Sequence, residues 1–456
     1  MPDESRHPGP LAPEAGGEPR VEPETGSASL SGGSSPQKSG LVKYGELIIL
    51  GYNGSLPQGD RGRRRSKFVL YRRQKANGVM RSRHYPVKTP QSAQAIHNNQ
   101  LHSISYTLSR HQAVIVEYTH DPTTDLFQIG RSSESPIDFV VMDTVPGNQV
   151  QERVNAQSTI SRFACRILAQ RDEDDLTCRI YAAGFDSQRN IFLGERATKW
   201  ETGQQGVDGL TTNGVLIMHP KGEFCPPSNS ASTTPPATSK PGIWREISVG
   251  GSVFGLRESR SAALQGSPVP SESNTLVDGT LIDLCGATLL WRAAHGLANS
   301  PTPRQLERCL DDLNAGRPQC PVGLHTLVVP TRKNSNHVAP EAQPVVYLSC
   351  GHVQGRHEWG SLNDSKGSKT CPICLGASST ALLMMGSEPG FYVDCESPDY
   401  AFVPCGHMAS EKTVKYWANV PIPCGTSGFQ SACPFCAMPL TGTPGYVKLI
   451  FQDKCD

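Results

Sequence analysis

The 456-residue sequence lacks any long apolar run and has almost no net charge. Because no stretch of about 18 apolar residues occurs, we expect no transmembrane helix and no membrane insertion. The 43 Lys and Arg residues are balanced by 42 Asp and Glu residues, which excludes a uniformly basic coat for nucleic acid and a uniformly acidic chain. The first residues, MPDESRHPGP, also lack the apolar segment of a secretory signal, so we expect a reducing, cytoplasmic location.

Apolar residues are scarce as well, at 37% of the chain, whereas 44 glycines and 37 prolines favour many turns. This imbalance is strongest in residues 1–40, which contain seven Pro, seven Gly and seven Ser but only four larger apolar side chains. Such a segment cannot bury enough surface to offset the entropy that it loses on ordering. We therefore predict a disordered N-terminal tail over residues 1–40.

Residues 41–290 show the pattern of an all-β domain. Short segments rich in Val, Ile, Tyr and Phe recur between turn residues, among them HQAVIVEY, DLFQIG, ACRILAQ, TCRIYAAG and WREISV. Many short strands with frequent turns are typical of a sandwich or barrel. Residues 61–83 carry ten Lys or Arg and no acidic residue, and residues 228–240 form a low-complexity insertion. The basic segment is either a solvated face or a contact for an acidic or phosphate-rich partner.

A helix is predicted just after this domain, within a linker over residues 291–316. Thr302 is a suitable N-cap, Pro303 suits the first helical turn, and Gln305 completes a capping box. Leucines spaced three or four residues apart then share one face of the helix, which we expect to pack in a core.

Cysteine, unlike the other apolar residues, is abundant in the C-terminal part of the chain. Eleven of the 15 cysteines lie between Cys309 and Cys455, and a reducing compartment favours metal binding over disulfides for such a cluster. A Cys-Gly-His segment followed by Cys-Pro-x-Cys occurs twice, with 18 intervening residues in the first copy and 25 in the second. The two predicted metal-binding quartets are Cys350, His352, Cys371 and Cys374, then Cys405, His407, Cys433 and Cys436.

Each copy supplies three thiolates and one imidazole, a complete tetrahedral set that leaves no open position for a catalytic water. Two cysteines separated by two residues lie on one tight turn, and the distant Cys-x-His pair completes the tetrahedron. We therefore predict two structural Zn2+ ions in a compact domain over residues 317–456. The alternative is a set of buried free cysteines with hydrogen-bonded histidines. The spacing leaves open whether each ion binds within one copy or across both copies.

A zinc domain of this size either reads nucleic acid or docks a protein. Residues 401–440 contain only Lys412 and Lys415, too few cations for a DNA-reading helix, but several Phe, Trp and Pro residues. We therefore favour protein docking and disfavour nucleic acid as a partner. The Cys-x-His plus Cys-Pro-x-Cys arrangement resembles half of a RING domain, the fold with which many ubiquitin ligases hold a charged ubiquitin-conjugating enzyme.

Three segments of the β domain suggest a phosphate-binding site. Arg131 offers a guanidinium fork that suits a phosphate, Ser161 a hydroxyl donor, and Asn213 an amide that can hold a peptide backbone. With the neighbouring Arg162 and Thr212, this set resembles the forkhead-associated (FHA) domain, a phosphothreonine-binding sandwich with Gly-Arg, Ser-x-x-His and Asn-Gly motifs.

One position departs from the FHA pattern. Ala164 occupies the place of the family's histidine, which braces the binding loops, so the departure concerns loop geometry rather than the phosphate contacts. The alternative interpretation is a sandwich in which Arg131 pairs with a carboxylate and Asn213-Gly214 merely forms a turn.

Longer segments extend the resemblance over residues 42–453. They include KYGELIILGYNG, HSISYTLSR, VIVEYTHD, FQIGRS, LTTNGVL, LIDLCGATLLWR, RPQCPVGL and KLIFQ. These segments resemble the Pellino family of RING-type E3 ubiquitin-protein ligases. The resemblance implies a multidomain protein in which an all-β FHA-like sandwich with insertions is followed by a small zinc-binding RING-like α+β domain.

The resemblance also implies a function. Pellino proteins bind phosphorylated receptor-associated kinases through the FHA domain and promote ubiquitin transfer onto them, in innate immune signalling downstream of Toll-like and interleukin receptors. A RING-type ligase supplies no nucleophile, because it acts by bringing the thioester of the conjugating enzyme close to a substrate lysine. Apolar residues beside the zinc turns are the expected docking surface for the conjugating enzyme: Pro372, Ile373, Pro434 and Phe435.

Rival functions compete with this one. A non-catalytic phosphopeptide scaffold would use the same phosphate-binding residues and a purely structural zinc domain, and a nucleic-acid binder would use residues 61–83. A covalent cysteine relay would need a reactive thiol outside the zinc sites, and Cys395 and Cys424 have no neighbouring His.

Cys320 opens half of a Cys-Pro-x-Cys turn, so it either replaces one of the eight ligands or is a small buried apolar residue.

Overall fold

The computed structural model describes most of the chain from residue 41 onward. The described residues are 41–53, 67–88, 98, 100–142, 160–172, 176–203, 206–227, 239–330, 338–361, 367–424 and 428–452. The predicted N-terminal tail lies outside them, as do residues 61–66 of the basic segment and 228–238 of the low-complexity insertion. None of the helices in the described ranges has the length and apolarity that crossing a bilayer requires.

The N-terminal part is built mainly of strands. These are β1 (Lys43–Tyr52), β2 (Lys67–Tyr71), β3 (Gly78–Val87), β4 (His102–Ser109), β5 (Gln112–Asp121), β6 (Thr124–Gly130), β7 (Phe139–Val140), β8 (Cys165–Gln170), β9 (Cys178–Ala182), β10 (Asn190–Leu193), β11 (Lys199–Glu201), β12 (Val207–Gly209), β13 (Leu216–Met218), β14 (Arg245–Ile247), β15 (Val253–Phe254), β16 (Leu281–Asp283) and β17 (Ala287–Ala293). A seven-stranded sheet has the order β15-β14-β13-β16-β17-β1-β2, a four-stranded sheet the order β7-β6-β8-β9, and a third sheet the order β10-β4-β5-β3.

The seven-stranded and four-stranded sheets pack face to face. Leu47 and Ile49 of β1 and Phe127 and Ile129 of β6 belong to one buried core, because side chains two residues apart on a strand point to the same face. The third sheet adds residues such as Ile104 to the same core. This arrangement confirms the predicted all-β sandwich with additional strands.

Two helices follow the sandwich, α1 (Ala294–Ala298) and α2 (Pro303–Ala315). Helix α2 begins as predicted: Thr302 Oγ1 accepts a hydrogen bond from the Gln305 amide at 3.2 Å, and Gln305 Oε1 accepts one from the Thr302 amide at 2.7 Å. Leu306 and Leu310 are buried, so the apolar face of the helix is used for core packing.

The C-terminal part alternates very short strands with turns. Its strands are β18 (Val345–Tyr347), β19 (Val353–Gln354), β20 (Lys369–Thr370), β21 (Ala377–Ser378), β22 (Thr380–Leu382), β23 (Met384–Met385), β24 (Tyr400–Phe402), β25 (His407–Ala409), β26 (Ile422–Cys424), β27 (Gly428–Gln430) and β28 (Tyr446–Lys448). Two sheets have the orders β19-β18-β22 and β23-β25-β24-β28. Helix α3 (Glu411–Ala418) begins at Ser410, whose hydroxyl accepts a hydrogen bond from the Thr413 amide at 3.2 Å.

The seven-stranded sheet is buried on both faces. On β1, Leu47 and Ile49 point into the sandwich, whereas Ile48 and Leu50 belong to a second core that also contains Phe391 of the C-terminal part. A strand covered on both faces is apolar at consecutive positions rather than at alternate ones. The run of apolar residues in β1 therefore has a structural reason, since the C-terminal part packs on the outer face of this sheet.

We call the packing of the C-terminal part on the seven-stranded sheet the joint. Hydrogen bonds and an aromatic contact connect its two sides. Trp244 Nε1 donates a hydrogen bond to the carbonyl of Pro421 at 2.5 Å. Arg292 Nη1 donates one to the carbonyl of Gly390 at 2.6 Å. The Phe224 ring meets Tyr416 edge to face, with the ring centroids 5.2 Å apart. The two parts of the chain therefore share one core with specific hydrogen bonds, instead of being connected by the linker alone.

Candidate metal centres and binding groove

The first predicted quartet comes together between β18 and β19 and the turn that follows β20. Cys350, His352, Cys371 and Cys374 place one ligand atom each within 4.8 Å of one another. His352 Nδ1 lies 3.3 Å from Cys350 Sγ and 3.5 Å from Cys371 Sγ. Cys371 is buried and Cys374 is exposed, so this quartet lies at the protein surface.

The second quartet repeats the arrangement between β24, β25 and a later turn. Cys405, His407, Cys433 and Cys436 again place one ligand atom each within 4.8 Å of one another, and His407 Nδ1 lies 3.5 Å from Cys405 Sγ. Cys433 is buried and belongs to the core of the joint. This quartet therefore lies deeper than the first.

The donor atoms of both quartets fit Zn2+. A tetrahedron with Zn–S bonds of about 2.3 Å and Zn–N bonds of about 2.0 Å has S···N edges of about 3.5 Å. The S···N separations of 3.3 to 3.5 Å match these edges. Each set has four protein donors, which corresponds to a closed structural site without a position for substrate. All donors of a set come from one sequence copy, so the sites are local to each copy.

Glycine at the centre of each Cys-Gly-His turn has a geometric reason. Gly351 and Gly406 have φ values of 79° and 77°, in the left-handed region where a side chain is strained. A Cβ atom would lie 1.9 Å from the Lys448 carbonyl oxygen at Gly351 and 2.2 Å from the Leu382 carbonyl oxygen at Gly406. Lys448 follows the second quartet and Leu382 follows the first. The two copies thus interlock through their backbones although each has its own ligands.

Three turns in the described residues share one backbone pattern, and two of them carry cysteines of the quartets. The Cys371 amide donates to the Gly376 carbonyl at 2.9 Å, and the Cys433 amide donates to the Met438 carbonyl at 2.9 Å. The Cys320 amide donates in the same way to the His325 carbonyl at 2.9 Å. We call these turns knuckles 1, 2 and 3 in the order just given.

Knuckle 3 has a glycine in place of the second cysteine. Gly323 stands where knuckles 1 and 2 have Cys374 and Cys436. Cys320 is fully buried among apolar side chains and belongs to neither quartet. Of the two roles considered for Cys320, the structure therefore supports the small buried apolar residue.

The predicted docking residues divide into two groups. Ile373 is 44% exposed at the tip of knuckle 1, and Pro372 beside it is partly exposed. Pro434 and Phe435 of knuckle 2 are buried, and the Phe435 ring packs against Phe391 with the centroids 5.9 Å apart. The expectation for Pro434 and Phe435 is corrected here: knuckle 2 faces the joint, so these two side chains form core and not a surface for a partner.

The thiol of Cys395 is a poor candidate for a covalent relay. Burial and the nearby Asp394 carboxylate raise the pKa of Cys395 above its ordinary value. A raised pKa lowers the thiolate fraction that a relay needs. Cys395 Sγ instead lies 3.8 Å from the carbonyl oxygen of Asn299.

The predicted phosphate-binding residues converge at one end of the sandwich. The Arg131 amide donates to the Ser161 carbonyl at 3.3 Å, and Arg131 Nε donates to the Ile160 carbonyl at 2.8 Å. Gly130 permits this approach, because a Cβ atom there would lie 2.0 Å from the Arg162 carbonyl oxygen. Arg131 is thus held directly beside the Ser161 segment.

Ser161, Arg162, Thr212 and Asn213 line one open cavity of about 430 Å3, which we call the groove. Asn213 and Thr212 reach it from the loop between β12 and β13, about 50 residues along the chain from Ser161. The groove also includes Phe192, whose side chain is 54% exposed. It therefore combines hydroxyl, amide and guanidinium donors with an apolar shelf.

Two arginines that sequence reasoning missed hold the Thr211–Gly214 loop from behind. Arg257 Nη2 donates to the Thr211 carbonyl at 3.0 Å, and Arg260 Nη1 donates to the Asn213 carbonyl at 3.3 Å. Arg257 also pairs with buried Glu246 at 2.6 Å, and burial raises the pKa of Glu246 although the guanidinium opposes that rise. No motif marks either arginine in the sequence.

Ion pairs engage Arg73 and Arg83 in the described part of the basic segment. Arg73 pairs with Asp138 at 2.6 Å, and Arg83 pairs with Glu117 at 2.5 Å. Nearby, burial and the Arg189 and Arg166 guanidinium groups lower the pKa of His102 to about 4. His102 is therefore neutral near pH 7 and adds no positive charge to this face.

Comparison with known protein families finds one match for the N-terminal part of the chain and one for the C-terminal part. Residues 35–309 match the family described as "Pellino, FHA domain", and residues 313–456 match "Pellino, RING domain". The two matches define the chain as a RING-type ubiquitin ligase with an FHA domain.

Relatives along nearly the whole chain narrow the assignment. "Protein pellino" of Drosophila melanogaster is 63% identical over 415 residues, which cover 91% of this chain and 94% of that protein. "E3 ubiquitin-protein ligase pellino homolog 2" of Homo sapiens is 56% identical over 417 residues, covering 91% of this chain and 96% of that protein. "E3 ubiquitin-protein ligase pellino homolog 3" of Mus musculus is 53% identical over 416 residues, covering 91% of each chain. The chain belongs to the Pellino family.

Proposed function

We propose that this ligase binds phosphothreonine-containing signalling kinases in the groove and promotes ubiquitin transfer onto them, in the cytoplasm and within innate immune signalling. The observation that carries the proposal is the convergence of Ser161, Arg162, Thr212 and Asn213 on one cavity, with Arg131 held beside it. A phosphate needs several donors from different directions, and these residues supply hydroxyl, amide and guanidinium groups together.

Different residues of the groove suit different parts of a phosphopeptide. The Ser161 hydroxyl and the guanidinium groups of Arg131 and Arg162 suit the phosphate, because charge-assisted hydrogen bonds are stronger than neutral ones. The Asn213 amide suits the peptide backbone, since it can donate and accept at once. Phe192, exposed in the same cavity, suits an apolar side chain of the peptide.

Removing the Ser161 hydroxyl is expected to weaken phosphopeptide binding about 10- to 100-fold, because one charge-assisted hydrogen bond contributes about 1.5 to 3 kcal/mol. Ser161→Ala is compared with wild type by fluorescence polarisation on a degenerate phosphothreonine peptide library and its unphosphorylated counterpart. Ser187→Ala is the matched control, because Ser187 is exposed and lies outside the groove. Equal binding of phosphorylated and unphosphorylated peptides by the wild type would refute the proposal.

In the transfer step, the zinc unit (residues 317–452) acts by holding its partner in place. Bound Zn2+ supplies structural rigidity and no catalytic chemistry, since each quartet is complete without substrate. The exposed side chain of Ile373 and the neighbouring Leu375, 71% exposed, form an apolar tip on knuckle 1. We place the conjugating enzyme on this tip, so that a substrate lysine attacks a thioester already held close to it.

Truncating Ile373 is expected to slow ubiquitin-chain formation about tenfold without altering the fold, because an exposed anchor contributes to binding and little to the core. Ile373→Ala is assayed with a charged conjugating enzyme, alongside metal content and melting temperature. Val322→Ala is the matched control, because Val322 takes the place of Ile373 in the metal-free knuckle 3. Unchanged chain formation in Ile373→Ala would place the docking surface elsewhere.

A further inference from the structure

The groove lacks the bracing histidine of the FHA pattern, and a different buried pair occupies its neighbourhood. Ala164 is buried at the position where that histidine is expected. Gln128 of β6 and Arg166 of β8 are direct cross-strand partners, and both are buried. Arg166 lies two residues after Ala164, so the two side chains leave the backbone towards the same face.

Gln128 joins two loops through its side-chain amide. Nε2 donates to the carbonyl oxygens of Pro136 and Phe185, each at 3.0 Å. Oε1 accepts a hydrogen bond from the Phe185 amide at 2.6 Å. Both amide hydrogens and the amide oxygen are therefore engaged, which is what a buried polar side chain requires.

One of these loops lines the groove, and the other begins with Arg131 beside it. Pro136 belongs to the segment that begins with Arg131, and the Asp138 carboxylate near the end of that segment accepts a hydrogen bond from the backbone N–H of Gln128 at 2.9 Å. Phe185 follows Gly184, which lines the groove together with Asp186. The Gln128 side chain thus ties the segment that follows Arg131 to a segment that lines the groove.

Arg166 makes hydrogen bonds to the segment that precedes Gly184. Its Nη1 donates to the carbonyl oxygens of Ala182 and Ala183 at 2.8 and 2.9 Å, and its Nη2 donates to the Val249 carbonyl at 2.9 Å. The guanidinium group lies over the Phe185 ring, 5.3 Å from the ring centroid. These contacts fix a backbone that is left-handed at Ala183, where φ is 61°.

Gly184 fits the close approach of Gln128. A Cβ atom at this position would lie 2.9 Å from Gln128 Oε1 and 3.3 Å from the Phe163 Cβ atom. The first distance is shorter than real Cβ contacts, so any side chain at position 184 would displace the Gln128 amide. The glycine and the glutamine are therefore matched to each other.

We infer that Gln128, supported by Arg166, is the positioning residue of the groove and takes the bracing role that Ala164 cannot fill. The inference rests on the proposed phosphopeptide binding. A loop that is already ordered before binding loses less conformational entropy when the peptide arrives. Gln128 does not line the groove, so its effect on affinity acts through the two loops.

The test uses the full chain and a phosphothreonine peptide selected by the wild type from the degenerate library. Gln128→Leu keeps the size of the side chain and removes all three side-chain hydrogen bonds. It is expected to weaken phosphopeptide binding about tenfold and to speed hydrogen exchange at the amides of Ile137 and Phe185. Gly184→Ala keeps every hydrogen-bonding group but displaces the amide, and it is expected to weaken binding in the same direction.

Asn314→Leu is the matched control. The Asn314 amide makes the same two-way contact with one backbone residue, since its Nδ2 donates to the Val329 carbonyl at 3.1 Å and its Oδ1 accepts from the Val329 amide at 2.8 Å. It lies in the linker helix and outside the groove, so an effect of general destabilisation appears in this variant too.

Each outcome decides the inference. It holds if folded Gln128→Leu loses affinity while Asn314→Leu, at a comparable melting temperature, keeps it. It is overturned if Gln128→Leu binds the peptide as the wild type does, or if Asn314→Leu loses as much affinity. Gly184 itself lines the groove, so should Gln128→Leu not fold, Gly184→Ala supports the inference only when its loss of affinity comes with faster hydrogen exchange at Ile137, which does not line the groove, and overturns it otherwise. Failure of the wild type to prefer phosphorylated peptide would refute the proposed function instead, which separates the two failures.

Discussion

Replacing Cys433 by serine is expected to unfold the zinc unit and abolish ubiquitin-chain formation. Cys433 is a buried member of the second quartet, and a serine hydroxyl does not replace a thiolate ligand. A structural Zn2+ site contributes about 10 to 16 kcal/mol. This contribution is comparable to the net stability of most domains, about 5 to 15 kcal/mol, so we expect the fold of this unit to be lost with the metal.

The measurements are metal content, chain formation with a charged conjugating enzyme, and binding of an apolar dye. Dye binding is expected to rise because unfolding of the zinc unit uncovers the outer face of the seven-stranded sheet. Cys395→Ser is the control, because Cys395 is an exposed thiol outside both quartets. A chelator should reproduce the effect of Cys433→Ser. Normal chain formation in a Cys433→Ser protein that has lost metal would contradict the expectation.

Replacing Arg292 by methionine is expected to lower the free energy of unfolding by about 3 to 5 kcal/mol. Arg292 is fully buried and pairs with Asp278, with Nε 2.9 Å from Oδ1. It also donates to the Ser300 hydroxyl at 2.6 Å and to the Gly390 carbonyl across the joint. Methionine loses the guanidinium that lies 4.6 Å from the centroid of the Phe224 ring, and it leaves the Asp278 carboxylate, whose side chain is only 9% exposed, without a cation.

Urea unfolding followed by fluorescence and by far-ultraviolet circular dichroism measures this loss. Arg245→Met is the control, since Arg245 pairs with Glu272 at a more exposed place, where an ion pair contributes about 1 kcal/mol or less. Adding Asp278→Asn to Arg292→Met is expected to restore part of the stability, because the unpaired charge is then removed. A loss below about 1 kcal/mol in Arg292→Met would show that the buried pair is not a structural determinant.

Local groupings of side chains were well predicted from the sequence. The spacing of the Cys and His residues predicted which side chains come together in each quartet, because the two-residue separation of paired cysteines is imposed by the turn itself. The capping box identified the start of helix α2, since Thr302 and Gln305 satisfy each other's backbone amides within one turn. In both cases the interactions lie between neighbouring residues, so sequence distance carries the information.

Long-range packing was not predictable in the same way. Knuckles 1 and 2 have almost the same sequence pattern, yet Ile373 is exposed and Phe435 is buried, because only knuckle 2 faces the sandwich. The spacing of the ligands determines how a turn can hold a metal, but it does not determine which face of the turn packs against a core. One signal was present: consecutive apolar residues at Ile48 and Ile49 indicated a strand covered on both faces.

Arg257 and Gln128 illustrate residues without any sequence signal. Arg257 reaches the Thr211 carbonyl from 46 positions away, and Gln128 reaches Phe185 from 57 positions away. Both act on backbone atoms, whose positions depend on the whole fold and not on the identity of a neighbouring residue. Such support of a binding loop becomes visible only when the strands are in place.

The joint also has a consequence for the choice of target lysine. Because a shared core and the Trp244 and Arg292 hydrogen bonds hold the two parts together, the span between the groove and the tip of knuckle 1 is set by the fold. A ligase with a flexible tether scans lysines by its own motion, whereas this one presents the thioester at a fixed reach. Under the proposed function, the lysines modified on a kinase held in the groove are therefore expected to be those that the kinase's own flexible segments carry to that distance from its phosphothreonine.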